Sequence, residues 1–426
     1  IYRLQQQALI RQNKTAEALT VAERGRARAF VELLSQRLSG EEKEEAAKIQ
    51  PPNVAEIQAI AKQQRATIVT YSIIYGTNRE ESELYSWVVQ PTGNIEFRRV
   101  DLAKVQDRLN VSLNRIARES RNAVATGEDD PSMTNLVVAM RGTMTQQAER
   151  ESSQEVLKST QNAYQLLIQP IEDLLPTDQQ ARVIFIPQDA LFLVPFAALQ
   201  DAKGNYLIQK HSVQVSPSIQ ALNLVRSRSS NQKSALIVGN PTPMPDNLPE
   251  LPGSEKEATA IAQLFNTEAI LGEDATKSRV LQKISQASVI HFATHGLLDD
   301  QQALQSSLAL SASDQNGLLT AEEIFSLRLK ADLAVLSACN TGRGKITGDG
   351  VIGLSRSLMS AGVPSVVVSL WLVPDEATAY LMKNFYGHLQ QGSDKAQSLQ
   401  KAMLDTRKKY PNPRDWAGFT LIGTAD

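Results

Sequence analysis

Cysteine is nearly absent from this sequence of 426 residues, in which Cys339 is the only one. A single thiol excludes a scaffold of disulfide bonds and a structural zinc site made of several cysteines, and it suits a reducing cytosol. Charge of one sign is not in excess either, because 44 lysines and arginines stand against 46 aspartates and glutamates. The composition therefore predicts no direct binding of nucleic acid and no attraction to an anionic membrane surface.

Long apolar runs are missing as well. No run reaches the roughly 18 residues that a membrane-spanning helix needs, and the best stretch, residues 365–373, is typical of a buried strand. The chain starts at Ile1 rather than at a methionine, and no signal-peptide pattern follows. We therefore expect a cytoplasmic protein that makes no contact with membranes, of which this sequence is one piece.

The first 38 residues predict two helices with a turn at Asn13 and Lys14. The second helix is expected to run from Thr15 to Leu38, with small alanines along its apolar stripe. Such a stripe resembles the closely packed seam of tetratricopeptide (TPR) helix pairs, and an isolated pair buries too little surface to be stable alone. We expect the last or capping pair of a repeat array, with a plain helical hairpin of one globular domain as the alternative.

Three parts are expected along the chain. Residues 1–50 would hold the helical pair and a charged linker, residues 51–180 an α+β region, and residues 181–426 an α/β core. In the middle part, alternation with a period of two predicts an antiparallel meander, after which the pattern turns helical. The meander strands are predicted at 66–74, 83–90 and 95–100, and the clearest helix at 154–175.

Strand and helix patterns alternate after Pro176, which is the signature of a mostly parallel sheet flanked by helices. Residues 333–336 and 366–368 are apolar throughout, as expected for strands buried on both faces. The fold class predicted is therefore α/β. The predicted strands are 182–186, 235–238, 288–293, 331–337, 365–370 and 419–422, and the predicted helices are 254–265, 278–284, 320–327, 350–361, 375–390 and 395–408.

Two of these strands end in residues that carry chemistry. One ends in His295-Gly296, and the other leads to Cys339, 44 positions after His295. A right-handed crossover can place two such parallel strands side by side, and ligands bind outside the carboxyl ends of strands in open α/β sheets. A cysteine needs a nearby base to form its thiolate, and histidine supplies one. We therefore predict a catalytic pair of His295 and Cys339, with an oxyanion hole from the N–H groups of Gly296 and Cys339.

The strings Phe292-Ala-Thr-His-Gly296, Leu336-Ser-Ala-Cys-Asn-Thr-Gly342 and Ser369-Leu-Trp371 resemble the CHAT family, a caspase and separase relative usually fused behind TPR repeats. The resemblance covers roughly residues 55–426. It implies a caspase-like core at 181–426, with His295 as base and Cys339 as nucleophile of a cytosolic cysteine endopeptidase. It also implies a protein or peptide substrate, a protein partner or sensor acting through the repeats, and no cofactor. Because the family includes members without shown peptidase activity, a catalytically silent scaffold is the alternative.

A substrate pocket is predicted next to the nucleophile, where the strand at 365–370 ends. Trp371 can form an apolar wall, and a carboxylate, Asp375 before Glu376, can hold a substrate arginine or lysine. Separases and related enzymes that cut after basic residues resemble this chain in following Leu-Trp with an acidic residue. The alternative is that Asp375 only caps the helix that begins there.

Three further motifs carry weaker predictions. His291 and His295 are four residues apart, but they lie in a strand pattern without a third ligand, so we predict a buried core histidine at 291 and no metal site. The glycines of 348–353 match a dinucleotide fingerprint, yet polar residues separate them from their strand, which leaves nucleotide binding a minor alternative. The glycine-rich loop 340–349 is predicted to order on activation.

Overall fold

The computed structural model describes residues 1–26, 30–32, 34, 50–76, 80–104, 117–118, 120–121, 158–224, 234–299, 302–337, 345–347, 350–371 and 373–426. The helices are α1 (Tyr2–Arg11), α2 (Thr15–Arg24), α3 (Val54–Gln64), α4 (Leu207–Lys210), α5 (Ile219–Leu224), α6 (Pro252–Leu264), α7 (Lys277–Ile284), α8 (Ala321–Ser326), α9 (Leu354–Ser360), α10 (Asp375–Gln390), α11 (Lys395–Lys409) and α12 (Pro413–Trp416). Within these residues, no helix is both long and apolar enough to cross a membrane.

The strands are β1 (Thr67–Tyr75), β2 (Glu81–Val89), β3 (Ile95–Asp101), β4 (Arg182–Ile186), β5 (Ser212–Val215), β6 (Ala235–Pro241), β7 (Ile270–Gly272), β8 (Val289–Ala293), β9 (Gly296–Leu297), β10 (Ser307–Ala309), β11 (Leu318–Thr320), β12 (Leu333–Ser337), β13 (Lys345–Thr347), β14 (Gly350–Ile352), β15 (Ser365–Ser369) and β16 (Phe419–Gly423). Single turns of 3-10 helix occur at Gln169–Leu174 and Asp189–Leu193, among others.

One large sheet of the described residues has the strand order β3-β2-β1-β4-β5-β16-β15-β12-β8-β6-β7. The meander β1–β3 is antiparallel, as its alternating pattern predicts. Strands β1, β4 and β5 run parallel to one another, and so do β15, β12, β8, β6 and β7. The last strand, β16, is antiparallel to β15. A mostly parallel sheet flanked by helices therefore confirms the predicted fold class.

Helices cover both faces of the sheet, because alternate residues of each central strand point to opposite faces. Val335 of β12 packs in one apolar layer with residues of α6, α10 and α11. Leu336 packs in the opposite layer with residues of α7, α8 and α9. Both faces of these strands are buried, which explains why residues 333–336 of β12 and 366–368 of β15 are apolar.

The N-terminal helices pack on the sheet rather than standing apart from it. Ala18 and Leu19 of α2 share an apolar cluster with Ile57 of α3 and with Trp87 of β2. The indole N–H of Trp87 also donates to the carbonyl of Thr15, over 2.8 Å. The helical pair thus contributes to the core of the sheet domain.

Some predicted elements have different bounds in the structure. The second helix, expected to reach Leu38, ends at Arg24 because the chain turns at Gly25, and residues 35–38 lie outside the described part. The helix expected over 154–175 is α-helical from 158 to 167 and then continues as a 3-10 turn that contains Pro170. Proline lacks the N–H that an α-helix would use there.

The helix expected over 350–361 is the clearest error. Its first residues form strand β14, paired antiparallel with β13, and α9 starts only at Leu354. The β-branched pair Val351-Ile352 favours a strand over a helix. The short strand β5 and the small sheet β9–β11 were missed because two to four residues give too little periodicity to detect.

Candidate active site

Strands β8 and β12 are direct neighbours and run parallel, as the predicted pairing of His295 with Cys339 requires. Their register places Val289 opposite Leu333 and Ala293 opposite Ser337. His295 follows Ala293 by two residues, and Cys339 follows Ser337 by two residues. Cys339 itself, with the rest of 338–344, lies outside the described residues.

The carboxyl ends of the parallel strands meet at one edge of the sheet. At the opposite edge, Arg182, the first residue of β4, pairs with Asp426 at 3.2 Å. Lys395 contacts the carbonyl of Asp426 and also pairs with Asp332, which precedes β12, at 2.7 Å. Because the amino ends of β4 and β12 meet around Lys395, both strands point toward the edge that carries His295.

His295 is held in a defined orientation by a backbone carbonyl. Its Nε2 lies 2.8 Å from the carbonyl oxygen of Pro249, so Nε2 carries the hydrogen and donates it. In the neutral ring this leaves the lone pair of Nδ1 free to accept a proton. The backbone is fixed too, because the N–H of Ala309 donates to the His295 carbonyl over 2.9 Å. The side chain is partly exposed, as a base that meets a substrate has to be.

Gly296 presents its backbone N–H away from the neighbouring strand. The residue Gly296 is opposite Leu308 in the antiparallel pair of β9 and β10. The bond from Ala309 N–H to the His295 carbonyl makes Gly296 and Leu308 a non-hydrogen-bonded pair of that ladder. The N–H of Gly296 is therefore not used by β10.

Asp375 is near the segment that holds His295. It is the first residue of α10 and is exposed, and its carboxylate lies so close to Gly253 that a Cβ added to that glycine would be 2.5 Å from Oδ2. Gly253 follows Pro249 by four residues, so the same segment contacts both His295 and Asp375. Pro374 occupies the cap position of α10 and no side chain caps the helix there, so the alternative role of Asp375 as a cap is wrong.

The other two predicted pocket residues differ in exposure. Glu376 is exposed in the first turn of α10. Trp371 is 3% exposed and belongs to the apolar core, and its indole N–H donates to the carbonyl of Arg414 over 3.0 Å. Trp371 therefore offers little free surface, whereas the two carboxylates are open to a substrate.

His291 is a core residue, as predicted. It is fully buried, with Nε2 3.0 Å from the Glu257 carboxylate and Nδ1 3.1 Å from the Tyr386 hydroxyl. These partners come from α6 and α10, so the cluster ties both helices to β8 beneath the site. Burial, and the Glu257 charge beside it, raise the pKa of Tyr386 well above its ordinary value.

The motifs that suggested metal or nucleotide binding find little structural context. Among the described residues, no group of three or more histidine, cysteine, aspartate or glutamate side chains could hold a metal ion. The dinucleotide fingerprint requires a helix directly after the glycine turn, but residues 350–352 form β14. Of the loop 340–349, only 345–347 are described, as strand β13, and this hairpin lies against the turn at Asp189–Leu193.

A family model for the CHAT domain matches residues 157–424, more than half of the chain. The chain belongs to the CHAT family. The motifs around His295 and Cys339 predicted this family, and the match confirms the prediction of the family.

Two relatives and one solved structure extend this result. The CHAT chain is 27% identical to Tetratricopeptide repeat protein 28 of Homo sapiens and 26% identical to the Mus musculus protein of the same name. In both cases 99% of this chain aligns with 22% of the relative, so the chain spans about a fifth of their length. Separase in the Saccharomyces cerevisiae separase-securin complex is similar in fold, with a TM-score of 0.57 at 12% identity over 97% of this chain and 34% of that chain. This likeness confirms the predicted caspase-like fold.

Sequence reasoning found the histidine but missed the group that orients it. Pro249 contacts His295 through its backbone carbonyl. Every residue has such a carbonyl, so the residue type gives no indication of this contact. Asn240 and Glu257, which also border this region, were missed because they come from a strand end and a helix that carried no catalytic motif.

Proposed function

We propose that this CHAT chain is a cysteine endopeptidase in which His295 and Cys339 form the catalytic dyad. The observation that carries the proposal is the register of β8 and β12, with Ala293 opposite Ser337. Each dyad member follows one of these paired residues by two positions. The orientation of His295 supports the same proposal, because its free Nδ1 lone pair is what a general base needs.

The proposed chemistry proceeds in two stages. His295 takes the thiol proton of Cys339 on Nδ1, and the thiolate attacks the carbonyl carbon of the substrate. The oxyanion that forms accepts hydrogen bonds from the N–H groups of Gly296 and Cys339. The C–N bond then breaks as His295 returns the proton to the leaving amine, and water hydrolyses the thioester with His295 again as base.

We propose an arginine or lysine before the scissile bond of a protein or peptide substrate. Asp375 and Glu376 are exposed carboxylates at the start of α10, and Asp375 touches the segment that orients His295. A carboxylate binds a guanidinium or ammonium group through charge-assisted hydrogen bonds. Trp371 would support this pocket from within the core rather than form its wall.

We propose that protein partners regulate the site through TPR repeats that precede α1 in the cytoplasmic full-length protein. Arg26, just after α2, donates to the carbonyls of Ile186 and Pro187 at the carboxyl end of β4. Phe30 lies under the guanidinium of Arg356, 5.0 Å from the ring centre, and Arg356 belongs to α9. Helix α9 begins just after β14, which follows the glycine-rich loop 340–349 next to Cys339. Through Phe30, the N-terminal segment therefore contacts a helix that is close in sequence to the proposed nucleophile.

Cleavage of a peptide library by the wild type and by dyad variants tests the proposal. We expect Cys339→Ala and His295→Ala each to lower kcat roughly 10⁴-fold or more, and the double variant to be no worse, because the two groups act as one unit. His388→Ala is the control, since this histidine pairs with Asp405 on the surface of α10 and α11. Full activity of Cys339→Ala would refute the dyad. A folded wild type that cleaves nothing would favour a silent CHAT scaffold.

A further inference from the structure

Asn240 lies near the carboxyl end of β6, at the sheet edge that carries His295. Strand β6 pairs with β8 on the side away from β12, and Gly239 is opposite Ala293. The side chain of Asn240 is 5% exposed, and its backbone has a φ of 41°, a left-handed conformation that asparagine adopts more readily than most residues. A buried polar side chain therefore lies at the sheet edge that carries the candidate base.

Both ends of the Asn240 amide have partners. Oδ1 accepts a hydrogen bond from the N–H of Leu251 over 2.6 Å, and Nδ2 donates to the carboxylate of Glu255 over 3.2 Å. The carbonyl of Leu251 in turn accepts from the N–H of Ser254 over 2.9 Å at the start of α6. Leu251 is thus held from both sides.

Leu251 follows Pro249 by only two residues, and Pro249 provides the carbonyl that accepts from His295 Nε2. We infer that Asn240 is a positioning residue for His295. By fixing Leu251 it fixes the Pro249 carbonyl, which keeps the imidazole hydrogen on Nε2 and the lone pair on Nδ1. The inference rests on the proposed function, in which His295 is the general base. Asn240 acts through this segment and does not touch the substrate.

The test variant is Asn240→Gly, because glycine keeps the left-handed backbone and removes only the amide. We expect kcat to fall about 10- to 100-fold with KM nearly unchanged, since a misplacement of roughly 1 Å can cost up to about 10²-fold in rate. Asn266→Gly is the matched control. Asn266 also has a left-handed backbone, with a φ of 49°, but it follows the far end of α6.

A conservative exchange provides the rescue. Asn240→Asp keeps the acceptor for Leu251 but turns a second oxygen toward the Glu255 carboxylate, so we expect a loss of kcat. Combining it with Glu255→Gln restores a donor opposite that oxygen, and kcat should return to within about 3-fold of the wild type. This recovery would show that the hydrogen bond between positions 240 and 255 carries the effect, and the tautomer of His295 separates positioning from a purely structural role.

The decisive readout is the tautomer of His295, measured by NMR of protein with ¹⁵N-labelled histidine and assigned with His295→Ala. We expect the Nε2–H tautomer in the wild type, in Asn266→Gly and in the Asp–Gln double variant, and a mixture of tautomers in Asn240→Gly. An unchanged tautomer and an unchanged kcat in Asn240→Gly would overturn the inference while leaving the peptidase intact. A tautomer that depends on Asn240 in a chain that cleaves nothing would support the positioning and refute the proposed function.

Discussion

Single residues at the start of α10 set the charge that an incoming substrate would meet. Asp375 and Glu376 are adjacent and exposed, but only Asp375 contacts Gly253 in the segment that also orients His295. This difference makes them a matched pair: one carboxylate lies at the proposed pocket, and its neighbour has the same charge on the same helical turn.

We predict that Asp375→Asn lowers kcat/KM for substrates with arginine before the scissile bond by about 10- to 100-fold, because a hydrogen bond to a charged group contributes about 1.5–3 kcal/mol. Glu376→Gln should change it much less. The free energy of unfolding should fall by at most about 1 kcal/mol, the value of one carboxylate at a helix N-terminus. Profiling with a substrate library measures both effects. A wild-type preference for acidic or apolar residues would exclude the basic pocket and leave the dyad untouched.

At this scale the sequence shows which residues end a strand, but it does not show which backbone groups from elsewhere in the chain meet them. His295 and Gly296 could be selected because they end a recognisable strand, and the orientation of both agrees with the predicted chemistry. The Pro249 carbonyl and its support by Asn240 could not be selected, because they depend on where the chain returns to the sheet after β6. Trp371 was expected as a pocket wall, yet its burial depends on the packing of α12, which the sequence pattern did not predict.

At the scale of elements, the connection of α2 to the sheet is the most unusual contact. Arg26 and Glu23 form an ion pair at 3.0 Å, and both side chains are at least 95% buried. Arg26 donates to carbonyls of β1 and of the residues ending β4, and Glu23 accepts from the N–H of Ile219 at α5. Burial raises the pKa of Glu23, while the charge of Arg26 opposes that rise. The pair thus ties the helical hairpin to three elements of the sheet domain.

We predict that Arg26→Ala lowers the free energy of unfolding by about 3–5 kcal/mol, because it leaves the Glu23 charge buried without its cation. Combining Arg26→Met with Glu23→Gln should cost less than Arg26→Ala alone. The control is Arg279→Ala at the exposed pair with Asp274, which should cost less than about 1 kcal/mol. Urea denaturation checks all three. Equal losses of unfolding free energy at the buried and the exposed pair would contradict the stabilising role of the pair of Arg26 and Glu23.

Elements with a clear pattern were predicted with their bounds, whereas α2 ends 14 residues before its expected end and α3 was not predicted. Strand β4 and helix α10 have the predicted bounds, since each carries an unbroken pattern of one period. The hairpin β13–β14 lies where the sequence predicts a loop and the start of a helix, because six paired residues around glycines do not reveal a period.

At the scale of the whole molecule, the sheet crosses the boundary expected at residue 180. Strand β1 pairs with β4 in parallel, so the meander and the core form one continuous sheet. The division of the chain into three parts at residues 50 and 180 stays a prediction. The chain aligns with 22% of Tetratricopeptide repeat protein 28, and regulation through TPR repeats stays a proposal.

The central claim is that His295 activates Cys339 toward peptide carbonyls, and covalent labelling tests it most directly. A peptide probe that ends in arginine and carries an electrophile in place of the scissile bond should modify the wild type at Cys339, as located by mass spectrometry. His295→Ala should slow labelling at neutral pH by about 10²-fold or more, the usual contribution of a general base. His388→Ala should label like the wild type. Labelling of Cys339 at the same rate in His295→Ala and in the wild type, or the absence of labelling in a folded wild type, would contradict the dyad.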